Sequence, residues 1–353
     1  MQIIFLKFHK IRQGLPLISQ KMQEQFIQLL KAKSNDSTSF ADEIASILDI
    51  GYDAAYRRIN LKTSITLDEA VKLAKHYKIS LNKLFEIGNP NTLIAELPPQ
   101  PKDEMGLEMY FKASLNNVLP LTKLKGAEII YSAKDIPFFH TLNDSYLTRY
   151  KMYVWLKDLN SEMVKNKITF DEWMKTIPDS LLQSAYKVGD VYKYINITEL
   201  WNDNTITGTL QQVLYYFEAG LVTKDMALLI CDDIDKVIKH TEEQTIQQSL
   251  IDAKNKNSYH LYKCDLHMLT NTVMVNTPYQ KVFFSPFTVL SYFKIEHKET
   301  CDMMYEFLQK QMSISKLLAT AGERDRTLFF NTIHHKINNA RDRIKMEEKM
   351  SFL

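Results

Sequence analysis

Between Phe40 and Asn60 the chain reads FADEIASILDIGYDAAYRRIN, and no other stretch constrains the fold as tightly. Ile44, Ala45 and Leu48 recur at i, i+1 and i+4, which gives a first helix one apolar side. Thr38 and Ser39 stand before it as caps, and Asp42 and Glu43 sit in its first turn, where the helix dipole favours negative charge. Asp49-Ile50-Gly51 interrupts the pattern, and Gly51, lacking a Cβ, is the expected source of the unusual backbone angles of a tight turn. A second short helix then runs from Tyr52 to Asn60 with only Ala55 and Ile59 to bury. Tyr52, Asp53, Tyr56, Arg57 and Lys62 are left facing outward, and Arg57 and Arg58 are adjacent. Such a helix is a poor core element and is suited to lying in a groove of nucleic acid.

The flanks supply a frame for these two helices. Upstream, residues 21 to 33 place Phe26, Ile27, Leu29 and Leu30 at helical spacing. Downstream comes ITLDEAVKLAKHYKISLNKLFEI. Thr66 and Glu69 have the spacing of a capping box. Leu67, Ala70, Val71 and Ala74 form the expected buried stripe. Ser80 opens a last helix through Leu81, Leu84 and Phe85.

Five short helices in this order resemble the phage-repressor/Cro (XRE-like) class of helix-turn-helix domains. The match consists of Ile44-Ala45-x-x-Leu48-x-Ile50, Tyr52 to Ile59, Leu67-x-x-Ala70-x-x-Leu73-Ala74, and Ile79-Ser80-Leu81-x-x-Leu84. It covers residues 20 to 88. The chain departs from the class in a long loop, Ser34 to Ser39, and in opening the reading helix with Tyr52 and Asp53. The resemblance implies a transcription regulator that docks Tyr52 to Asn60 in the major groove of double-stranded DNA. Arg57 and Arg58 would reach guanine edges or phosphates. Ser39, Lys62 and the amides of the first helix would hold phosphates, and Tyr52, Asp53, Ala54 and Tyr56 would complete the reading surface. Regulators of this kind usually pair two copies over two half-sites, so a homodimer is expected. The same five-helix pattern also suits a small bundle that docks on protein without binding DNA.

The 353 residues are 45% hydrophobic and 24% charged, with room for two or three cores. The expected order is an N-terminal arm over 1–19, the five-helix domain over 20–88, a linker over 89–103 stiffened by Pro98, Pro99 and Pro101, and a larger domain over 104–353. A formal net charge of +2 excludes a wholesale nucleic-acid coat, so DNA affinity has to come from a local patch. Three widely spaced cysteines, Cys231, Cys264 and Cys301, without a CxxC pair, suggest buried thiols in a reducing, cytoplasmic setting. No run approaches the ~18 apolar residues of a membrane span. The basic, apolar start MQIIFLKFHK is interrupted by Lys7, His9 and Lys10 and does not read as a signal peptide, and Met22 is an equally good start.

The larger domain is expected to be helix-rich with a modest sheet, making the whole chain mainly α with an α+β C-terminal part. Helices are expected over Leu107–Lys123, Tyr146–Met163, Phe170–Tyr194 (two, broken near Gly189), Thr205–Ala219, Thr223 to about Lys256, Glu299–Met312 and Arg324–Lys349. AEIIYS (127–132) reads as a buried strand. Tyr259–Leu266, Thr272–Val275 and Lys281–Phe284 read as three more, the last two joined by a hairpin turn at Asn276–Tyr279. The segment from Thr223 carries Met226, Leu229, Ile230, Ile234 and Ile238 on one side, which could pair two copies or pack within its own domain. Asp232-Asp233-x-Asp235 reads as a solvated helix face. No phosphate-cradling loop, HExxH or GxSxG is present, and no catalytic residue, metal or cofactor is expected. The 18 tyrosines and 18 phenylalanines are mostly core, with some available to line an apolar pocket for a small effector. The larger domain therefore reads as a sensing and dimerisation domain, answering to a small molecule or a protein.

Overall fold

The computed structural model describes residues 21–34, 39–85, 93, 95–250, 257–265 and 269–350, with the side chains of 83 and 347–350 left aside. The N-terminal arm, Thr38 and most of the Ser34–Ser39 loop lie outside the described residues. The chain divides into two compact units, Met1–Ile94 and Ala95–Leu353.

The first unit contains helix α1 (residues 21–33), α2 (Phe40–Leu48), α3 (Tyr52–Ile59), α4 (Leu67–His76) and α5 (Leu81–Phe85). Phe26, Leu30, Ile44, Leu48, Ala55, Leu73, Ala74 and Tyr77 form its core. The capping box at α4 forms: the Glu69 amide donates to Thr66 Oγ1 at 3.3 Å, and the Thr66 amide donates to Glu69 Oε2 at 2.9 Å. The stripe on α4, however, is displaced. Leu67 is 76% exposed and Val71 37%, while Leu73, Ala74 and Tyr77 are buried. Ala70, Leu73, Ala74 and Tyr77 have the same i, i+3, i+4, i+7 period as the expected set, so periodicity alone could not choose between them.

The turn between α2 and α3 also differs from expectation. The left-handed residue is Asp49 (φ 59°), whose position lets the Ile50 amide reach the Ala45 carbonyl at 3.0 Å. Aspartate tolerates this region better than most side chains. Gly51 has φ −66°, an ordinary value, and open space where a Cβ would stand. It is the residue that caps α3, where serine is preferred to glycine. Gly51→Ser is therefore expected to hold or raise stability by a few tenths of a kcal/mol. Asp49→Val should lower it by about 1–2 kcal/mol. Denaturant unfolding of the two variants checks the assignment, and the opposite order would return the strained position to Gly51.

The second unit is built on a sheet with seven strands among the described residues: β1 (Glu128–Ser132), β2 (Asn196–Trp201), β3 (Tyr259–Lys263), β4 (Thr272–Asn276), β5 (Lys281–Thr288), β6 (Ser291–Ile295) and β7 (Lys316–Leu317). Their spatial order is β6-β5-β4-β1-β2-β3-β7. β1, β2 and β3 run parallel, and the others join antiparallel. Long crossovers are needed between the parallel strands. Helices α7 (Tyr146–Leu159), α8 (Ser161–Lys165), α9 (Phe170–Met174) and α10 (Asp179–Tyr192) fill the first, and α11 (Thr207–Glu218) and α12 (Lys224–Gln247) the second. With α6 (Glu104–Val118) and α14 (Glu323–Met350), they bury the larger core against Ile129, Tyr131, Ile197, Trp201, Tyr259 and Leu261. On the opposite face Ile130, Leu200, Met274, Phe283 and Ile295 meet Cys301, Leu308 and Met312 of α13 (Lys298–Ser313). The protein is thus mainly α with a mixed sheet in its C-terminal part. No described helix is long and apolar enough to cross a membrane.

Several expectations are corrected here. The break in the 170–194 region falls at Pro178, the residue preceding α10, and Gly189 lies inside that helix. A Cβ at Gly189 would stand 2.0 Å from the Leu142 carbonyl oxygen, so the glycine serves close packing. The apolar side of α12 is buried in its own unit: Ile230, Ile234 and Ile238 are fully covered. That surface meets α7, α11 and α14, so of its two expected uses it takes packing within its own domain, with Met226 and Leu229 half-covered. The segment expected as linker up to Asp103 joins the second unit from Ala95. Glu96 pairs with Lys294 on the edge strand β6 through two backbone bonds of 3.0 and 2.9 Å, which covers part of an otherwise open sheet edge.

Candidate nucleic-acid interface

The outward surface of α3 follows from its composition. Only Ala55 is fully buried, with Ala54, Arg58 and Ile59 half-covered, so Tyr52, Asp53, Tyr56, Arg57 and Asn60 fall at i, i+1, i+4, i+5 and i+8 on one exposed side. The Tyr52 and Tyr56 rings stack at 6.2 Å between centroids, inclined by 19°. Each is close to half exposed, at 49% and 47%. Two adjacent open aromatic faces next to an arginine make a surface able to stack, donate hydrogen bonds and attract an anion. The Arg57 carbonyl accepts from the Lys62 amide at 2.8 Å, which fixes the helix end and holds exposed Lys62 close to it.

Arg58 occupies a different place from the one expected of it. Its Nε and Nη2 donate to the two carboxylate oxygens of Glu69 at 3.0 and 2.8 Å, and its Nη1 donates to the Ala54 carbonyl at 3.1 Å. Both side chains are about one-sixth exposed, at 17% and 16%. Hydrogen bonding from Arg58 holds the Glu69 carboxyl below its usual range, against the upward push of burial. Arg58 is therefore a brace between α3 and α4, and its guanidinium fork is already filled. Gln23, unmarked by any sequence signal, completes the brace. Its Nε2 donates to the carbonyls of Arg58 and Thr63, each at 2.9 Å, and its Oε1 accepts from the Ile65 amide at 3.1 Å.

The remaining expected positions lie around this surface. Ser39 is exposed before α2, and its carbonyl accepts from Glu43 at 3.0 Å, but its side chain makes no capping bond. It remains on the surface beside the amides of the first turn. Asp53 is exposed in the first turn of α3, and Ala54 is half-buried with its carbonyl engaged by Arg58. Residues 20–88 carry ten lysines and arginines against nine aspartates and glutamates, so the unit as a whole exerts no strong pull on a polyanion.

In the second unit the conspicuous polar residues are engaged internally. Glu199, on β2, is fully buried. His140 Nε2 lies 2.8 and 3.0 Å from its two oxygens, Tyr192 donates to Oε1 at 2.9 Å, and Tyr259 and the Trp201 indole donate to Oε2 at 2.8 and 3.0 Å. Burial pushes this carboxyl up, but His140 and the phenol donors outweigh it and hold it below its usual range. The triplet on α12 is a solvated face only at Asp232, which is exposed. Asp233 is buried and accepts from the Tyr146 and Leu147 amides at 2.7 and 3.3 Å, capping α7 from a distant part of the chain. Asp232 pairs with Arg341, and Asp235 with His334, at 2.7 Å each. The three thiols are free and buried, and burial pushes that of Cys231 up to about 12. Among the described residues no cluster of three or more His, Cys, Asp or Glu is placed to hold a metal. No family model, curated protein or solved structure matches this chain.

Proposed function

We propose that this chain is a sequence-specific DNA-binding transcription regulator of the phage-repressor/Cro type, acting in the cytoplasm as a dimer and controlled through its second unit. The observation that carries this reading is the outward side of α3. It presents Tyr52, Asp53, Tyr56, Arg57 and Asn60 in one stripe, on a helix braced from behind by Arg58, Glu69 and Gln23. α3 is the reading helix of a helix-turn-helix pair with α2. Arg57 contacts a guanine edge, Tyr52 and Tyr56 meet thymine methyl groups or sugar, and Lys62 and Ser39 rest on phosphates. A half-site read by one short helix is too brief to be unique in a genome, which favours two copies about one helical turn apart.

The balanced charge of residues 20–88 and the paired tyrosines also suit a protein-docking face. Salt dependence separates the two readings, since each phosphate contact displaces counterions.

The test is an electrophoretic shift on the DNA upstream of the protein's own gene, with Arg57→Ala and Arg58→Ala compared. Arg57→Ala is expected to cost about 1–3 kcal/mol of binding free energy and to leave unfolding unchanged within about 0.5 kcal/mol. Arg58→Ala should lower the stability of the first unit by about 1–3 kcal/mol, because Glu69 loses its charged donor. Wild-type affinity in Arg57→Ala would remove α3 from the groove.

A further inference from the structure

The second unit contains a cavity of about 340 Å³ on the helical face of its sheet. Its position follows from the topology. The crossover helices cover β1, β2 and β3, whereas the antiparallel wing β4-β5-β6 extends beyond them. Val273, Val275, Phe284 and Tyr292 of that wing form one wall, and Phe138, Trp155 and residues of α6 form another. The cavity opens beside Asp135, just past the carboxyl end of β1.

Two features of the lining define what it accepts. The first is aromatic surface: Phe138, Trp155, Phe284 and Tyr292 are only partly covered by the protein and face the cavity. Phe138 and Trp155 lie 5.7 Å apart between ring centroids, leaving a ring-sized apolar wall. The second is charge. Lys151 is buried and already engaged, with Nζ 3.0 Å from Asp135 Oδ2 and donating to Thr209 Oγ1. Asp135 also accepts from Thr209 at 2.6 Å and from the Ile136 amide at 2.9 Å. That pair cancels. Asp158 remains, exposed at the rim, without an ion pair among the described residues. The lining thus carries one uncompensated negative charge beside π faces, which attract cations.

We propose that this cavity binds a ring-bearing organic cation, an aromatic or alicyclic amine. The ring lies among Phe138, Trp155 and Tyr292, and the ammonium lies at Asp158. An organic anion is disfavoured, because Lys151, the only lysine among the described lining residues, is neutralised by Asp135. The proposal stands apart from the DNA reading and is tested without DNA.

Three probes share an indole ring and differ in charge: tryptamine, tryptophol and indole-3-propionate. Calorimetric titration into the full-length protein is expected to rank them tryptamine, tryptophol, indole-3-propionate. The first gap should be roughly tenfold, the size of one cation–π contact combined with a partly exposed ion pair. Asp158→Asn, a change at an exposed position, should bring tryptamine to within about threefold of tryptophol and leave tryptophol unchanged. Val275→Trp, which fills the cavity, should weaken all three, with circular dichroism confirming the fold. Binding that ignores charge, a preference for the propionate, or no heat from any probe at millimolar concentration would overturn the proposal. Equal binding by the Val275→Trp protein, with its fold confirmed, would place the ligand elsewhere and do the same.

Discussion

Glu199→Ala is expected to destabilise the second unit by roughly 3–5 kcal/mol, the usual cost of breaking a buried, paired charge. The substitution would leave His140, Tyr192, Tyr259 and Trp201 facing a void with their donors unmatched. These four come from a 3-10 turn, from α10, from β3 and from β2 itself, so one carboxylate ties the helical layer to the middle of the sheet. The same group sets a pH dependence. Its folded pKa lies below the ordinary glutamate value, so its contribution is complete at neutral pH. That contribution is lost as pH falls from the ordinary glutamate range toward the folded value, because the unfolded chain then binds more protons. Denaturant melts across the acid range should show a steeper loss in wild type than in Glu199→Gln. Parallel acid limbs would show that Glu199 is not the responsible group.

Ala55→Glu should abolish the first unit. Ala55 is fully buried where α3 meets α1, α2 and α4. An unpaired carboxylate there costs several kcal/mol, against a total of about 3–10 kcal/mol for a unit of this length. The two units bury separate cores, so the second is expected to keep its own cooperative melt. Loss of both transitions would contradict independent folding.

The parts of the molecule that were legible in sequence share a property: their signal is local. The capping box at Thr66 and Glu69, the short apolar run at β1, the β4–β5 hairpin and the buried thiols need only neighbours in the chain. What was not legible depends on partners far away. β2 reads NITELW, and its glutamate argues against a buried strand until His140, Tyr192 and Tyr259 are seen to surround it. Arg58 looks identical to Arg57 in sequence, and only the fold reveals that Glu69, eleven positions on, holds it. Asp233 looks solvated until the start of α7 is found upon it. The apolar side of α12 carries no mark in sequence to distinguish a dimer seam from a core face. On the outer side of α3, Tyr52, Asp53, Tyr56, Arg57 and Lys62 emerged as outward positions from the shortage of apolar residues alone. Gln23 gave no signal, because a lone glutamine on a polar helix side looks like solvent-facing surface.

The role proposed for the α3 surface is to read DNA sequence. Selection of bound duplexes from a randomised pool, run in parallel on the wild-type chain and on a Tyr52→Ala/Arg57→Ala double variant, tests it most directly. Wild type is predicted to enrich two half-sites related by two-fold symmetry, about one helical turn apart. The double variant, folded by circular dichroism, should enrich no motif. A pool that stays random with wild type, or the same motif recovered with the double variant, would remove α3 from that role.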